Sequence, residues 1–124
     1  MKYLLDTHVY LWWLNDDKKL SPSVRKIIEN SNNIILVSAV SFWEISIKLQ
    51  IKKLPLKTPF YSLYDNLQFT LLSMNMEHIF CFHTLPLFHK DPFDRMLIAQ
   101  AKIENCTIIS NDSKMKQYDI PLFI

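Results

Sequence analysis

HKDPFDRMLIAQA, residues 89–101, spells out the start of a helix and a piece of chemistry together. Asp91 is placed as N-cap, Pro92 at the first helical position, and Asp94 three residues beyond the cap. An apolar run of Met96, Leu97, Ile98, Ala99 and Ala101 follows. Asn105 can take the left-handed position at the far end that glycine usually fills. The same start puts two carboxylates and Arg95 at the mouth of the helix. Asp91 reads as the cap, and the helix it starts is expected to deliver Asp94 to a cluster of acids drawn from distant parts of the chain.

Outward from this helix, apolar strand-like runs alternate with capped helical ones. Residues 2–5 read as a buried strand leading into a helix over 9–14. Ser21-Pro22 opens a second helix running to about residue 30. Ile34, Ile35, Leu36 and Val37 suit a central parallel strand, and a helix is expected over 38–51. Residues 52–59 form a basic, proline-containing connector. A helix over 59–68 and a strand over 69–73 follow, then a short helix over 76–83 and a loop over 85–90. Beyond residue 105 the reading gives a strand over 107–110, a short helix over 112–117 and a last strand over 122–124. This alternation predicts one domain, residues 1–124, of the α/β class: a three-layer α/β/α sandwich around a mostly parallel, about five-stranded sheet.

Composition narrows the function classes. The 124 residues are 49% apolar and 21% charged, an ordinary globular mix. No apolar run reaches the roughly 18 residues of a membrane span, and the N-terminus lacks a signal-peptide layout. Cys81 and Cys106 form no CxxC pair and read as reduced, buried thiols of a cytoplasmic protein with no membrane partner. The sequence holds no glycine, where average usage would give about nine. Glycine-rich dinucleotide and phosphate loops are therefore excluded, and turns must come from Asn, Asp, Ser and Pro. If the protein handles phosphates, metal ions and side chains must do it. A net charge of +2 neither requires nor excludes a nucleic-acid partner.

In open parallel sheets, ligands sit beyond the carboxyl ends of the strands. Asp6 follows the first strand, Asp112 follows the fourth, Asp94 heads the helix leading into the fourth, and Glu44 lies two turns into the helix after the second. Singly, each has a plainer reading. Asp6 and Asp112 could cap helices, and Asp94 could complete a capping box with Asp91. Glu44 could pair with Lys48 on a narrow polar stripe. Together on one edge they would repel one another unless a cation neutralised them, and hard oxygen ligands favour Mg²⁺ or Mn²⁺. His8, His78, His83 and His89 are scattered and read as packing or surface residues. A carboxylate-held ion suits phosphodiester hydrolysis, with one acid orienting or deprotonating the attacking water. Thr7 and Ser110 have side chains able to hydrogen-bond ligating carboxylates, with local turn bonding as the alternative.

The set LLDTH (4–8), VSAVSFWEISIK (37–48), HKDPFDRMLIAQA (89–101) and ISND (109–112) resembles the PIN-domain ribonucleases, and among them the VapC-like toxins of bacterial toxin–antitoxin pairs. The resemblance spans essentially the whole chain. It implies metal ligands at Asp6, Glu44, Asp94 and, usually through water, Asp112. It also implies Mg²⁺- or Mn²⁺-dependent endonucleolytic cleavage of RNA, a homodimer, and inhibition by a small antitoxin that inserts a segment near the acids. Asp119 departs from the pattern, since relatives often have glycine there.

RNA would have to be held by positive charge, for which Arg95 and Lys48 are the nearest candidates, with Lys90 and the 52–57 lysines behind them. Trp12, Trp13, Phe42 and Trp43 divide between core and a dimer or antitoxin groove. The competing reading is a non-catalytic binding module whose acids only cap helices. A small-molecule phosphohydrolase or phosphoacceptor fits less well: the first strand lacks an Asp-x-Asp pair, and Asp16-Asp17 follow a helix.

Overall fold

The computed structural model describes residues 1–123, so the expected strand end at Ile124 lies outside the described residues. Strands β1 (Lys2–Leu5), β2 (Ile34–Ser38), β3 (Thr70–Leu72), β4 (Thr107–Ile109) and β5 (Leu122–Phe123) form one sheet in the order β3-β2-β1-β4-β5. Every neighbouring pair is parallel. The helices are α1 (Thr7–Leu14), α2 (Pro22–Glu29), α3 (Ala39–Gln50), α4 (Phe60–Asp65), α5 (Met76–Thr84) and α6 (Pro92–Glu104), with a 3₁₀ turn at Ser113–Gln117.

The central strands are buried on both faces because alternate side chains enter different cores. Leu4, Leu36 and Ile108 pack with Leu97, Ile98 and Ala101 of α6. Leu5, Ile35, Val37 and Ile109 pack with Val9, Tyr10, Val24 and Ile28 of α1 and α2. These two cores make the three-layer sandwich. Strand order reverses direction at β1: the chain proceeds outward through β2 and β3, then returns to the other side for β4 and β5. The crevice at such a reversal is where open α/β sheets bind ligands.

Helix starts follow the local code. Ser21 caps α2 by accepting from Val24 N–H, with Pro22 first in the helix. Ser38 caps α3 by accepting from Val40 N–H and donates its own proton to Gln100 Oε1 at 2.6 Å, tying α3 to α6. Thr7 Oγ1 donates to Ser41 Oγ at 2.9 Å and ties α1 to α3. Both ties are buried, and together they hold the start of α3 to the start of α1 and to the second half of α6.

The absence of glycine leaves its mark at helix ends. Positive φ falls on Asp16, Lys52 and Asn105. Asn105, at φ 56° and ψ 47°, closes α6 as expected. Lys52, at φ 56°, has no short polar side chain to ease that conformation. Asp119 is exposed and is not among the positive-φ residues, so its turn does not require glycine. Helix α4 stops at Asp65 rather than at residue 68, because Leu67 and Phe69 are drawn into the second core. Both cysteines are free, but only Cys106 is buried; Cys81, on α5, is half-exposed.

Candidate metal centre

Asp6 ends β1 and starts α1. Its N–H donates to Ile109 O, extending the sheet by one rung, and its Oδ1 accepts from Val9 N–H at 2.8 Å. The side chain is therefore fixed at the C-terminal end of the central strand, where it is buried. Burial pushes its carboxyl up, offset in part by hydrogen bonds from the Ser110 hydroxyl and Val9 N–H and by the charge of His8. Ser110 also accepts from Asp112 N–H at 3.0 Å, so one hydroxyl links two of the acids.

Glu44, on α3, is only 4% exposed. Its Oε2 meets Lys48 Nζ at 3.0 Å, while its Oε1 is buried without a partner. A solvated polar stripe does not describe such a residue. Asp94 enters from the first turn of α6. Its carboxyl is pushed up to about 7, by burial first and then by the charges of Asp91, Asp6 and Glu44, with His89 acting the other way. Asp6, Asp91 and Glu44 are thus near enough for their like charges to act on Asp94. Asp112 caps the 3₁₀ turn by accepting from Lys114 N–H. Burial raises its carboxyl, but hydrogen bonds from Lys114 N–H and His89 outweigh this and hold it below the usual range.

Asp91 accepts from both Phe93 N–H and Asp94 N–H through one oxygen, at 2.8 and 3.3 Å. The plainer alternative, a capping box between Asp91 and Asp94, does not form: the Asp94 carboxylate lies 3.0 Å from His89 Nε2. His89, read as packing or surface rather than as a ligand, proves to touch two of the acids. It is buried, and its Nε2 lies 2.7 Å from Asp112 Oδ2 as well. One ligand atom from each of His89, Asp94 and Asp112 falls within 4.8 Å of the other two. The signal was its place at the head of the motif, two residues before the cap. His78 is fully buried and pairs with Glu104 at 2.9 Å, away from the acids.

Two other residues sit differently from expectation. The Thr7 hydroxyl donates to Ser41 and not to a carboxylate. The Arg95 guanidinium lies over the Phe82 ring at 4.4 Å and donates to Leu85 O at 3.5 Å, so its charge is engaged away from the acids. It is one position past Asp94, which rotates it about 100° around the helix. Lys48 alone of the two nominated cations faces the cluster.

The donor set fits a divalent cation. Asp6 and Glu44 are buried, Asp94 and Asp112 half-buried, Lys48 is the countercharge to Glu44, and Glu44 Oε1 has no protein donor. Oxygen-rich sets of this kind take Mg²⁺ or Mn²⁺.

Residues 3–121 match the model of the PIN domain family. The chain belongs to the PIN domain family. This PIN domain is 24% identical over 121 residues to Ribonuclease VapC22 of Mycobacterium tuberculosis, covering 95% of this chain and 92% of that one. Its fold superposes on a solved structure of VapBC2 from Rickettsia felis bound to a promoter DNA fragment. That match has a TM-score of 0.75 and 19% identity and covers 99% of this chain and 98% of that one. It also matches FitAcB from Neisseria gonorrhoeae, with a TM-score of 0.68, 17% identity, and 98% and 96% of the two chains. At these identities the solved structures bear on the fold of the PIN domain, a parallel five-stranded sheet flanked by helices.

Proposed function

We propose that this PIN domain is a divalent-metal-dependent endoribonuclease that serves as the toxin of a toxin–antitoxin pair. The observation that carries the reading is the buried, partnerless Oε1 of Glu44, a residue whose charge bears on Asp94. Leaving a buried carboxylate oxygen without a donor is costly unless a cation completes it. The ribonuclease relative supports the choice of RNA as substrate, and a similar fold solved as a toxin–antitoxin complex from Klebsiella pneumoniae supports an antitoxin as partner.

Asp6, Glu44 and Asp94 would hold Mg²⁺ or Mn²⁺ directly, with Asp112 at the rim acting through water. When bound, such an ion supplies an activated water and offsets the charge that builds on the phosphate. Asp112 is one-third exposed at its side chain and is held ionised, so it can orient the attacking water from the open side. Lys48 holds Glu44 from one flank and offers the nearest positive charge to a phosphate. Ser110 keeps Asp6 and Asp112 together, and Asp91 sets the start of α6.

The protein works in the cytoplasm as a homodimer in this reading, and among the described residues no helix is long and apolar enough to cross a membrane. Apolar surface for protein partners is present on α3, α5 and α6. Trp43 is 58% exposed, packs edge-on against Phe93, and lines a groove of about 260 Å³ with Met74, Phe82 and Met96. A second groove of about 380 Å³ runs between α1 and α4, lined by Tyr10, Trp13 and Leu63.

The test is cleavage of a structured RNA by antitoxin-free protein with and without Mn²⁺. Wild type should cut only with the ion. Asp6→Ala and Asp94→Asn should lose cleavage while keeping the far-UV spectrum of the fold. Equal cutting by folded variants refutes the assignment.

A further inference from the structure

The imidazole of His89 is held on both sides. The backbone N–H of Asp91 points at Nδ1 from 3.2 Å. An amide can only donate, so Nδ1 carries the lone pair and the ring proton is on Nε2. That Nε2–H faces two carboxylates, Asp112 Oδ2 at 2.7 Å and Asp94 Oδ2 at 3.0 Å. The two acids come from α6 and from the loop after β4, elements with no covalent reason to meet. The loop carrying His89 is itself anchored: its N–H donates to the Tyr118 hydroxyl at 3.0 Å, and that hydroxyl donates to Pro86 O at 2.7 Å.

Two roles are open to an imidazole in this place. As a metal ligand it would need the lone pair on Nε2 and the proton on Nδ1. That tautomer sets Nδ1–H head-on against Asp91 N–H, two donors facing each other. The cap residue of α6 therefore selects the other tautomer.

We propose that His89 is a positioning residue of the metal centre: its Nε2–H gathers Asp94 and Asp112 into one ligand set, and His89 is not itself a ligand. The inference rests on the metal-nuclease reading of the site and adds to it the residue that preassembles two of the four acids. The Asp91 carboxylate starts α6, while the Asp91 N–H sets the tautomer of the ring that aligns Asp94. One residue thus fixes both the position and the partner of the acid that follows it.

The experiment uses the full, antitoxin-free protein and three readouts. First, ¹⁵N–¹H correlation of the imidazole should show His89 as the Nε2–H tautomer, unchanged when Mg²⁺ is added. A proton that moves to Nδ1 on adding Mg²⁺ makes His89 a ligand and overturns the proposal. Second, calorimetric Mn²⁺ affinity should fall about 10- to 100-fold in His89→Phe, the usual range for losing a group that orients a ligand. In His89→Gln, whose amide Nε2–H reaches a similar place, most of that affinity should return. His89→Phe binding Mn²⁺ as tightly as wild type, or His89→Gln doing no better than His89→Phe, overturns it. Third, melting without metal checks that each variant is folded; should His89→Phe not fold, the tautomer and His89→Gln decide.

Failure of the parent reading looks different. Wild type that binds Mn²⁺ but never cuts RNA removes the nuclease and leaves the positioning role standing. Wild type that binds no Mn²⁺ removes both.

Discussion

Asp94→Asn should make the metal-free protein more stable while destroying its activity. Burial, with Asp91, Asp6 and Glu44 behind it, pushes the Asp94 carboxyl from 3.8 up to about 7 in the folded chain. The folded state holds that proton more tightly than the unfolded one. Stability is therefore lost as pH rises from about 4 to about 7 and is flat above, where both states are ionised. At about 1.4 kcal/mol per tenfold change, the interval amounts to roughly 4 kcal/mol against the fold above pH 7. Asp6 and Glu44 share the repulsion and relax when it is lifted, so about 2 kcal/mol is the gain expected from one substitution. Asparagine keeps an oxygen that can accept from His89 Nε2–H and removes the charge.

In a chelating buffer near pH 8, Asp94→Asn should melt roughly 6–10 °C above wild type, the shift expected of about 2 kcal/mol in a domain this size. The advantage should fall below about half near pH 5, where wild-type Asp94 is protonated when folded. Saturating Mg²⁺ should reverse the order. Wild type gains about 2.7 kcal/mol at a hundredfold excess over its dissociation constant, and the variant, lacking a ligand, gains little. If Asp94→Asn melts below wild type in chelator near pH 8, the acids are not crowded as argued. If both proteins gain equally from Mg²⁺, Asp94 does not hold the ion.

Lys48→Met leaves the Glu44 carboxylate buried without its countercharge, and urea unfolding without metal should show a loss of about 1–3 kcal/mol that Mg²⁺ largely restores. The same variant should lower the salt dependence of RNA binding by about one counterion. Asp91→Ala removes the acceptor for two N–H groups at the start of α6 and should cost about 1–2 kcal/mol by thermal melting. Its cleavage rate should fall less than that of Asp94→Ala, because its carboxylate positions the helix and holds no ion. Lys52→Gly should raise stability by about 1 kcal/mol, since the backbone there is left-handed and lysine gains nothing from it.

What could be read along the chain and what could not divide by the range of the interaction. The start and end of α6 were legible, because Asp91, Pro92 and Asn105 act on backbone groups within a few residues of themselves. The central strands were legible because Leu4-Leu5 and Ile35-Leu36-Val37 must be apolar on both sides to enter two cores. Their order in the sheet, with the reversal at β1, has no local signal. His89 shows the same division within the site. Its bond from Asp91 N–H spans two residues and lay in the open, but its meaning depends on Asp112, twenty-three positions away, and on the Tyr118–Pro86 tie that anchors its loop. Arg95 errs in the other direction. Proximity in sequence to Asp94 suggested a shared task, yet one step along a helix turned its guanidinium onto Phe82. Adjacency in sequence ties two side chains together only when the period of the element also brings them to one face. By that rule, Glu44 and Lys48, a turn apart, were the pair to trust. The capping box that was the plainer alternative for Asp91 and Asp94 has the correct spacing as well. It fails because an imidazole delivered from outside the helix competes for the Asp94 carboxylate and takes it.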